Sequence, residues 1–348
     1  MKKIVFTGGG TLGHVMPNLY IMDELKDDFK CFYIGSNGIE KDTVKKVADY
    51  FEIPAIKLVR GKIIQNIKIP FVLIKSIFKA KKILKEIKPD VVFSKGGYVA
   101  LPVCIASRML KIPVITHESD YSLGLANKII LKVCNKMCVN FKNLERKSKK
   151  IIYTGPIFSK QYESNKKDFS NLKLDKEKPT MLIVGGSLGS KIINDNISAI
   201  LKDLLKIFNI IHITGKGNNS IKSFENYNSF EMVDNMVNMY NIADFVLGRS
   251  GAGVTAESFF KQLPMLLIPL ENKATRGDQT LNAEYYVKMG VAKIVKESDL
   301  KPTVLLKEII EFYKHLKEYK SNYKTQKQAN GKQKVIELIN EYANKKES

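Results

Sequence analysis

Residues 4–14 of this chain read IVFTGGGTLGH, an apolar run that leads through glycines into the start of a predicted helix. Residues 181–190, MLIVGGSLGS, repeat the pattern near the middle of the chain. A strand that delivers the backbone through glycines onto a helix N-terminus binds anionic groups, because free N–H groups and the helix dipole point the same way. Two such loops predict two nucleotide-binding domains that face each other across a cleft.

The rest of the chain repeats this rhythm of short apolar runs separated by segments of helical length. The runs are residues 4–6, 31–34, 91–93, 114–116 and 137–139, then 181–184, 210–214, 245–247, 265–268 and 292–295. Alternation of this kind is typical of parallel sheets covered by helices. The predicted fold class is therefore α/β, with two Rossmann-like doubly wound parallel-sheet domains.

The boundary between the domains is expected near Gly155-Pro156, after which residues 161–179 are polar and lysine-rich, as in a linker. We place the first domain at residues 1–158 and the second at 159–329. From about Val304 the chain is predicted to be helical. A last amphipathic helix, within residues 330–348, could pack on either domain or return to the first.

Composition describes an ordinary globular protein of 348 residues, with 44% hydrophobic and 26% charged residues. We see no apolar run of 18 residues and no signal peptide, so the chain is expected to stay on the cytoplasmic side. The cysteines are Cys31, Cys104, Cys134 and Cys138. Reduced, mostly buried thiols are favoured over a zinc site, because no histidine lies near the one close pair.

The net charge of +22 favours an acidic partner, such as nucleic acid, an anionic membrane or a phosphorylated substrate. Nearly all basic residues are lysine and there is no tryptophan, which disfavours base-reading and stacking on nucleic acid. A plain compositional bias toward lysine is the alternative.

The first loop formally fits G-x-G-x-x-G through Gly8, Gly10 and Gly13. A dinucleotide site would need an acidic residue at the end of the second strand, but residues 35–38 read GSNG, so we disfavour NAD. His14 is predicted just inside the following helix, where the dipole favours the neutral, proton-accepting imidazole. It is a candidate general base, and a capping or packing histidine is the alternative.

A third loop, residues 248–257 (GRSGAGVTAE), again leads from a strand into a predicted helix. Glu257 could accept both hydroxyls of a ribose, or it could simply stabilise the helix start. The polar loop at residues 269–279 carries donors and acceptors suited to sugar hydroxyls. No Asp-x-Asp pair occurs in the chain, so helix ends and backbone amides are expected to stabilise a leaving phosphate, with no metal or other cofactor.

Six segments in order resemble the motifs of one enzyme family, the MurG family within glycosyltransferase family 28. They are residues 9–17 (GGTLGHVMP), 95–98 (KGGY), 117–120 (HESD), 185–189 (GGSLG), 249–252 (RSGA) and 277–279 (GDQ). These bacterial enzymes of peptidoglycan synthesis have the GT-B fold. The resemblance runs from Ile4 to about Val295.

The resemblance implies an inverting enzyme that moves GlcNAc from UDP-GlcNAc to the muramyl 4-hydroxyl of undecaprenyl-pyrophosphoryl-MurNAc-pentapeptide (lipid I), giving lipid II. His14 would be the catalytic base. The implied donor residues are Thr11, Leu12, Gly13, Asp120, Ser187, Val233, Ala252, Gly253, Val254, Thr255, Ala256, Glu257 and Gln279. The implied acceptor residues are Gly10, Gly13, Gly96, Gly97 and Tyr98.

Two positions depart from the family pattern. Asp120 stands where the family often has Asn, which keeps an acceptor but loses the amide donor. Phe158 stands where many members have Arg near the donor, so either Lys160 substitutes for it or donor affinity is weaker.

The segment between Pro70 and Lys88 is predicted to be a helix with two apolar faces. Leu73, Ile77, Ala80, Leu84 and Ile87 form the expected core stripe. Phe71, Ile74 and Phe78 form a second patch, flanked by Lys75, Lys81, Lys82 and Lys85. Because a globular helix needs one buried stripe, the second patch suits an anionic membrane surface, and burial on both sides is the alternative.

We therefore expect a peripheral enzyme at the cytoplasmic face of the cell membrane. Its expected partners are UDP-GlcNAc, lipid I, the membrane surface and other cell-wall synthesis enzymes, with no nucleic acid. Rival interpretations are another GT-B transferase with a lipid acceptor, a hydrolysing UDP-GlcNAc epimerase, and a non-enzymatic lysine-rich nucleic-acid or membrane-binding module.

Overall fold

The computed structural model describes residues 1–38, 40–58, 66–186, 188–218, 221–271, 277–326 and 329–345, apart from the side chain of Leu12. The chain divides into two compact units. The first comprises Met1–Ser159 and Ala329–Ser348, and the second comprises Lys160–Gln328.

The first unit is built on a parallel sheet of seven described strands in the order β3-β2-β1-β4-β5-β6-β7. The strands are β1 (Lys2–Thr7), β2 (Phe29–Gly35), β3 (Asp49–Glu52), β4 (Val91–Ser94), β5 (Val114–Glu118), β6 (Lys136–Val139) and β7 (Ile151–Tyr153). Its helices up to β7 are α1 (Met16–Leu25), α2 (Glu40–Val44), α3 (Ile69–Ile87), α4 (Gly97–Met109) and α5 (Leu125–Val133). The strand order reverses between β1 and β4, and the carboxyl ends of strands at such a point are where open α/β sheets bind ligands.

The second unit has a parallel sheet of six described strands in the order β10-β9-β8-β11-β12-β13. The strands are β8 (Thr180–Val184), β9 (Asn209–Ile213), β10 (Tyr227–Phe230), β11 (Phe245–Gly248), β12 (Met265–Leu267) and β13 (Ala292–Ile294). The helices are α6 (Lys191–Leu204), α7 (Met236–Ile242), α8 (Ala252–Phe260), α9 (Asp278–Lys288), α10 (Pro302–Lys314) and α11 (Leu316–Asn322). Here the order reverses between β8 and β11, which precede the second and third glycine loops.

The last helix, α12 (Lys332–Asn344), packs on the first unit. Val335 and Ile339 are fully buried there, in a cluster with residues of β1, β4 and α1. The backbone N–H of Gly331 donates to the carbonyl of Pro156 at 2.6 Å, which holds the returning chain beside the end of the sheet. The apolar face predicted for this helix is therefore used within the first unit.

The prediction of two doubly wound α/β sheets is confirmed, and each predicted apolar run lies on or overlaps a strand. Three strands were not predicted: β3, β7 and β10. All three lie at a sheet edge, and β3 (DYFE) and β10 (YNSF) each carry two polar and two aromatic residues. Since an edge strand has one open side, it does not need the continuous apolar run of a central parallel strand.

The cysteines are free thiols. Burial raises the pKa of both Cys104 and Cys138 to about 12, so these groups are inert parts of the core. Among the described residues, no helix is both long enough and apolar enough to cross a bilayer.

Candidate active site

The first glycine loop leaves β1 and passes through a 3₁₀ turn, Leu12–His14, before α1 begins at Met16. Pro17 lies in the first turn of α1, where its fixed φ and missing N–H are tolerated. His14 therefore lies in the 3₁₀ turn ahead of the α-helix rather than inside it. The helix dipole acts on its imidazole less directly than the sequence predicted.

Two buried side chains, Asn18 and Tyr33, form hydrogen bonds to the backbone of this loop. The amide nitrogen of Asn18 donates to the carbonyl of Thr7 at 3.3 Å and to the hydroxyl of Tyr33 at 3.1 Å. The Tyr33 hydroxyl in turn donates to the carbonyl of Gly8 at 2.9 Å. Because buried backbone carbonyls need partners, this chain of hydrogen bonds fixes where the loop leaves the strand.

A buried carboxylate, Glu40, lies against the same loop. It accepts hydrogen bonds from the Ser36 N–H at 2.8 Å and from the Ser36 hydroxyl at 2.6 Å. The Gly10 N–H donates to its other oxygen at 3.3 Å, and a Cβ on Gly9 would lie 2.5 Å from Glu40 Oε1. The loop amide at Gly10 is thus directed at a protein carboxylate in this structure.

The two loops predicted to bind the acceptor come together in the first unit. Gly10 has φ +83°, and a Cβ there would lie 2.9 Å from the ring of Tyr98. A Cβ on Gly97 would lie 3.8 Å from Nε2 of His14, and Nδ1 of His14 lies 2.9 Å from the Thr11 hydroxyl oxygen. The candidate base therefore lies beside the KGGY loop, with one ring nitrogen fixed by Thr11.

Lys95, the first residue of that motif, is 1% exposed. Its amine lies 2.9 Å from Nδ1 of His117 and also donates to the Ser119 hydroxyl. Burial lowers the pKa of Lys95 to about 8, partly offset by Glu118 and Asp120. Burial and the nearby ammonium also hold the pKa of His117 well below its usual value, so the imidazole is neutral.

The neutral ring of His117 has a defined tautomer. Since the Lys95 amine donates to Nδ1, the ring proton is on Nε2, which lies 3.4 Å from the carbonyl oxygen of Gly155. Glu118 next to it accepts from the N–H groups of Asp120 at 3.0 Å and Gly124 at 2.9 Å. The HESD motif thus serves to shape the loop that carries Asp120.

The second glycine loop lies at the carboxyl end of β8 in the second unit. Gly189 has φ +72°, and a Cβ there would overlap the carbonyl oxygen of Thr214. A Cβ on Gly186 would meet none of the described atoms within 4 Å. The loop therefore packs tightly at Gly189 and borders open space within this unit at Gly186. Ser187, predicted to bind the donor phosphates, lies outside the described residues.

The third loop leads from β11 into α8 through Gly251. A Cβ on Gly251 or on Gly253 would meet no atom of the described residues within 4 Å, so this helix start borders open space within the described part of the chain. The side chains of Thr255 and Ala256 are buried, and the Thr255 hydroxyl donates to the Gly251 carbonyl at 3.1 Å. The buried side chains of Thr255 and Ala256 therefore do not face a ligand. Along residues 252–256, which include Ala252 and Val254, the backbone is placed to meet one.

Arg249, in the same loop, binds neighbouring protein groups. It forms an ion pair with Glu297 and donates to the carbonyls of Ile268 at 3.2 Å and Pro269 at 3.3 Å. Gln279 is tied to the same region, because its side-chain oxygen accepts from the Leu270 N–H at 3.0 Å. These contacts fix the strand ends around the third loop.

Glu257 is held by two tyrosines. Its Oε2 accepts from the Tyr240 hydroxyl at 2.9 Å, and a hydrogen bond from the Tyr162 hydroxyl also reaches the carboxylate. Burial raises the pKa of Glu257 to about 7, and both hydroxyls oppose that rise. Val233, predicted beside the uracil, is half-buried between β10 and α7 in the same unit.

The predicted site residues fall into two groups, one in each unit. The first unit holds Gly10, Thr11, Leu12, Gly13, His14, Gly96, Gly97, Tyr98 and Asp120, and the second holds the remaining donor residues. Sequence reasoning missed the side chains that support them, namely Asn18, Tyr33, Glu40, Tyr162 and Tyr240. Tyr162 lay in the predicted linker, where its aromatic character was the one available signal. Phe158 is buried in the first unit, with its N–H donating to Asn330 Oδ1 at 3.2 Å.

The second apolar face predicted for α3 is exposed. Phe71 is 73% exposed, Ile74 54% and Phe78 63%, and Lys75, Lys82 and Lys85 are exposed as well. On the other side, Ala80, Leu84 and Ile87 are buried, and Leu73 and Ile77 pack against the same core. Within this chain the helix is therefore buried along one face only.

Comparison with known proteins gives matches over nearly the whole chain. The profile of the glycosyltransferase family 28 N-terminal domain matches residues 4–139, and that of its C-terminal domain matches residues 180–339. Relatives from Clostridium botulinum strain Langeland and Clostridium novyi strain NT are 43% and 42% identical, each over 98% of this chain. The match covers 99% of the first relative and 98% of the second. Both are named UDP-N-acetylglucosamine–N-acetylmuramyl-(pentapeptide) pyrophosphoryl-undecaprenol N-acetylglucosamine transferase.

Solved structures agree with the fold. The crystal structure of Acinetobacter baumannii MurG superposes with a TM-score of 0.77 at 26% identity, over 98% of this chain and all of that one. A UDP co-structure of Staphylococcus aureus MnaA has a TM-score of 0.66 at 13% identity and shares the fold alone, over 99% of this chain and 97% of that one. The predicted GT-B fold class is confirmed, and the chain belongs to glycosyltransferase family 28.

Proposed function

We propose that this enzyme transfers GlcNAc from UDP-GlcNAc to the muramyl 4-hydroxyl of undecaprenyl-pyrophosphoryl-MurNAc-pentapeptide, making lipid II for peptidoglycan. The observation that carries the proposal is the 43% identity, over 98% of the chain, to relatives named for this reaction. Five of the six motifs that resemble this family lie at or directly after the carboxyl ends of strands, where the fold binds ligands, and the sixth, residues 277–279, lies at the start of α9.

The reaction with inversion is a single displacement. The muramyl 4-oxygen attacks the anomeric carbon from the face opposite UDP, the bond from that carbon to the β-phosphate oxygen breaks, and the hydroxyl proton moves to a base. We assign that base to Nε2 of His14. For Nε2 to accept a proton, Nδ1 must carry one, and the Thr11 hydroxyl oxygen at 2.9 Å is placed to accept it.

The donor is assigned mainly to the second unit. The open start of α8 at Gly251 and Gly253 offers backbone N–H groups and the positive end of the helix to the phosphates of UDP. These groups would stabilise the negative charge that develops on the departing UDP. Glu257 would accept the ribose hydroxyls, with Ser187, Val233 and Gln279 contacting phosphate, uracil and sugar.

The acceptor is assigned to the first unit, around the KGGY loop and Tyr98. His14 lies beside that loop, as a base acting on an acceptor hydroxyl must. Because the Gly10 N–H donates to Glu40, we assign the contact with the acceptor pyrophosphate to the backbone of Gly96 and Gly97 before that of Gly10.

The test is a panel of donors and acceptors with the purified enzyme. We expect radiolabel transfer from UDP-GlcNAc to lipid I, with no transfer to diacylglycerol and no formation of UDP-ManNAc. Transfer to diacylglycerol alone would favour another lipid glycosyltransferase, and UDP-ManNAc formation would favour an epimerase. Salt-sensitive DNA binding without any sugar transfer would favour the non-enzymatic module.

We also infer that the exposed face of α3 binds the cytoplasmic surface of the membrane. Three apolar side chains that protrude among exposed lysines match an anionic lipid surface, to which each well-placed lysine adds up to about 1 kcal/mol. The Phe71→Ser, Phe78→Ser double variant should no longer co-sediment with phosphatidylglycerol vesicles. The matched control is Phe169→Ser, Phe224→Ser, because these exposed phenylalanines lie in the second unit. Equal sedimentation of both double variants would contradict the assignment.

A further inference from the structure

Three elements of the second unit meet at one carboxylate. Glu257 belongs to α8, Tyr240 to α7, and Tyr162 to the 3₁₀ turn Lys160–Glu163. The Tyr240 hydroxyl lies 2.9 Å from Oε2 of Glu257, and the Tyr162 hydroxyl also bonds to the carboxylate. None of the sequence motifs includes either tyrosine.

Both tyrosine rings are fixed by packing. Tyr240 is 1% exposed and Tyr162 is 4% exposed, and the Tyr162 ring packs edge-on against Phe260 with centroids 6.5 Å apart. A buried phenol needs a hydrogen-bond partner, and a carboxylate is a strong acceptor. The two hydroxyls therefore reach Glu257 from rigid positions and restrict the directions its oxygens can take.

We propose that Tyr240 and Tyr162 are positioning residues that hold Glu257 ionised and correctly oriented to accept the 2′- and 3′-hydroxyls of the donor ribose. The proposal rests on the donor site assigned above. A carboxylate can accept two hydroxyl protons at once, whereas a protonated carboxyl group must donate one of its own. Binding of the ribose diol thus requires the ionised form.

The electrostatics of the pocket explain why this support is needed. Burial raises the pKa of Glu257 to about 7, and the Tyr240 and Tyr162 hydroxyls are the groups that lower it. Among the described residues, no charged side chain contributes to the shift, and the two neutral tyrosine hydroxyls are the groups that favour the carboxylate. Loss of one hydroxyl should raise the pKa of Glu257 further and leave the group protonated over more of the neutral range.

The experiment measures UDP affinity by calorimetry between pH 6.5 and 8.5, for the full-length enzyme and the variants Tyr240→Phe and Tyr162→Phe. The dissociation constant of each variant is divided by that of the wild type at the same pH. The titration of the UDP phosphates affects both constants equally and cancels from the ratio. We expect Tyr240→Phe to weaken UDP binding about tenfold at pH 6.5 and about threefold or less at pH 8.5, because a higher pKa of Glu257 lowers its ionised fraction most on the acidic side. Uridine, which lacks phosphates, should show the same dependence.

Two further variants separate positioning from a general loss of structure. Tyr323→Phe is the control, because that buried hydroxyl donates to the backbone carbonyl of Leu263 instead. It should leave UDP affinity unchanged at every pH. In a Glu257→Gln background, Tyr240→Phe should add no further pH dependence, since the ionisable group is gone.

The outcomes distinguish the two levels of inference. A loss of UDP affinity that is equal at every pH would show that Tyr240 is only structural and would overturn the proposal. Unchanged affinity in both tyrosine variants would overturn it as well. Failure of the unmodified enzyme to bind UDP at any pH would instead refute the donor site on which the proposal rests.

Discussion

Replacing Lys95 by methionine tests the buried polar cluster beneath the candidate acceptor loop. The lysine is almost fully buried, with its amine between the His117 ring and the Ser119 hydroxyl. Burial lowers its pKa from 10.5 to about 8. At about 1.4 kcal/mol per unit, the buried ammonium costs roughly 3 kcal/mol of folding free energy at neutral pH.

The sign of the pH dependence follows from proton binding. The unfolded chain keeps the Lys95 proton up to about pH 10.5, whereas the folded chain releases it above about pH 8. The unfolded state therefore binds more protons in this window, and stability gained from this residue rises with pH. The cost of the ammonium is present in full below pH 8 and vanishes above about pH 10.5.

Methionine has a similar length and no charge, but it loses two hydrogen bonds worth about 1 kcal/mol each. At pH 7 Lys95→Met should therefore be more stable than wild type by roughly 1 kcal/mol, and near pH 10.5 less stable by roughly 2 kcal/mol. Urea unfolding followed by circular dichroism from about pH 7 to about pH 10.5 measures this crossing. Lys202→Met, at an exposed position in α6, is the control and should run parallel to wild type. If the free energy of unfolding of Lys95→Met had the same pH dependence as that of the wild type, the assigned cost of the buried ammonium would be wrong.

Three further predictions concern the loops. His14→Ala should lower kcat by about a hundredfold or more with little change in the donor KM, as expected for a general base, and an equal loss of donor binding in steady-state kinetics would indicate a structural residue. Gly189→Ala should destabilise the second unit by more than about 2 kcal/mol in thermal unfolding, because its Cβ would overlap the Thr214 carbonyl at a positive φ, whereas Gly253→Ala should be harmless. Glu40→Gln should speed hydrogen exchange at residues 8–13 and raise the acceptor KM, because the amide nitrogen would face N–H donors; unchanged exchange would show that Glu40 does not hold the loop.

The sequence predicted the central strands because their burial requires runs of apolar residues, which are visible in the sequence. In β8 every residue is buried, and a parallel strand buried on both faces is typically a nearly continuous apolar run. The edge strands β3 and β10 have no comparable run, and the apolar run of β7 is only three residues long. Their position depends on pairing with a neighbour, which is a property of the assembled sheet and not of a local window.

In the candidate site, the glycines could be predicted from the sequence, but the side chains that contact them could not. Glycines are recognisable because close backbone approach excludes a Cβ wherever it occurs, as at Gly9 against Glu40. The partner in such an approach is distant in sequence and carries no signal of its own. Glu40 is 30 residues from Gly10, and Tyr162 reaches Glu257 from a segment that composition alone presents as a linker.

The three glycine loops share a sequence pattern but differ in what their backbone N–H groups contact. The first two were predicted to bind anions through free N–H groups at a helix start, and the third has the same passage from a strand through glycines into a helix. In the first, the Gly10 amide donates to a buried carboxylate, whereas the third presents Gly251 and Gly253 to open space. A carboxylate behind the loop disfavours a second anion in front of it, so the first loop is better suited to positioning His14 beside Gly97 than to holding phosphate. Under the proposed mechanism, stabilisation of the leaving group is then assigned to the helix start of the third loop, in the second unit, and the proposed base His14 belongs to the first unit.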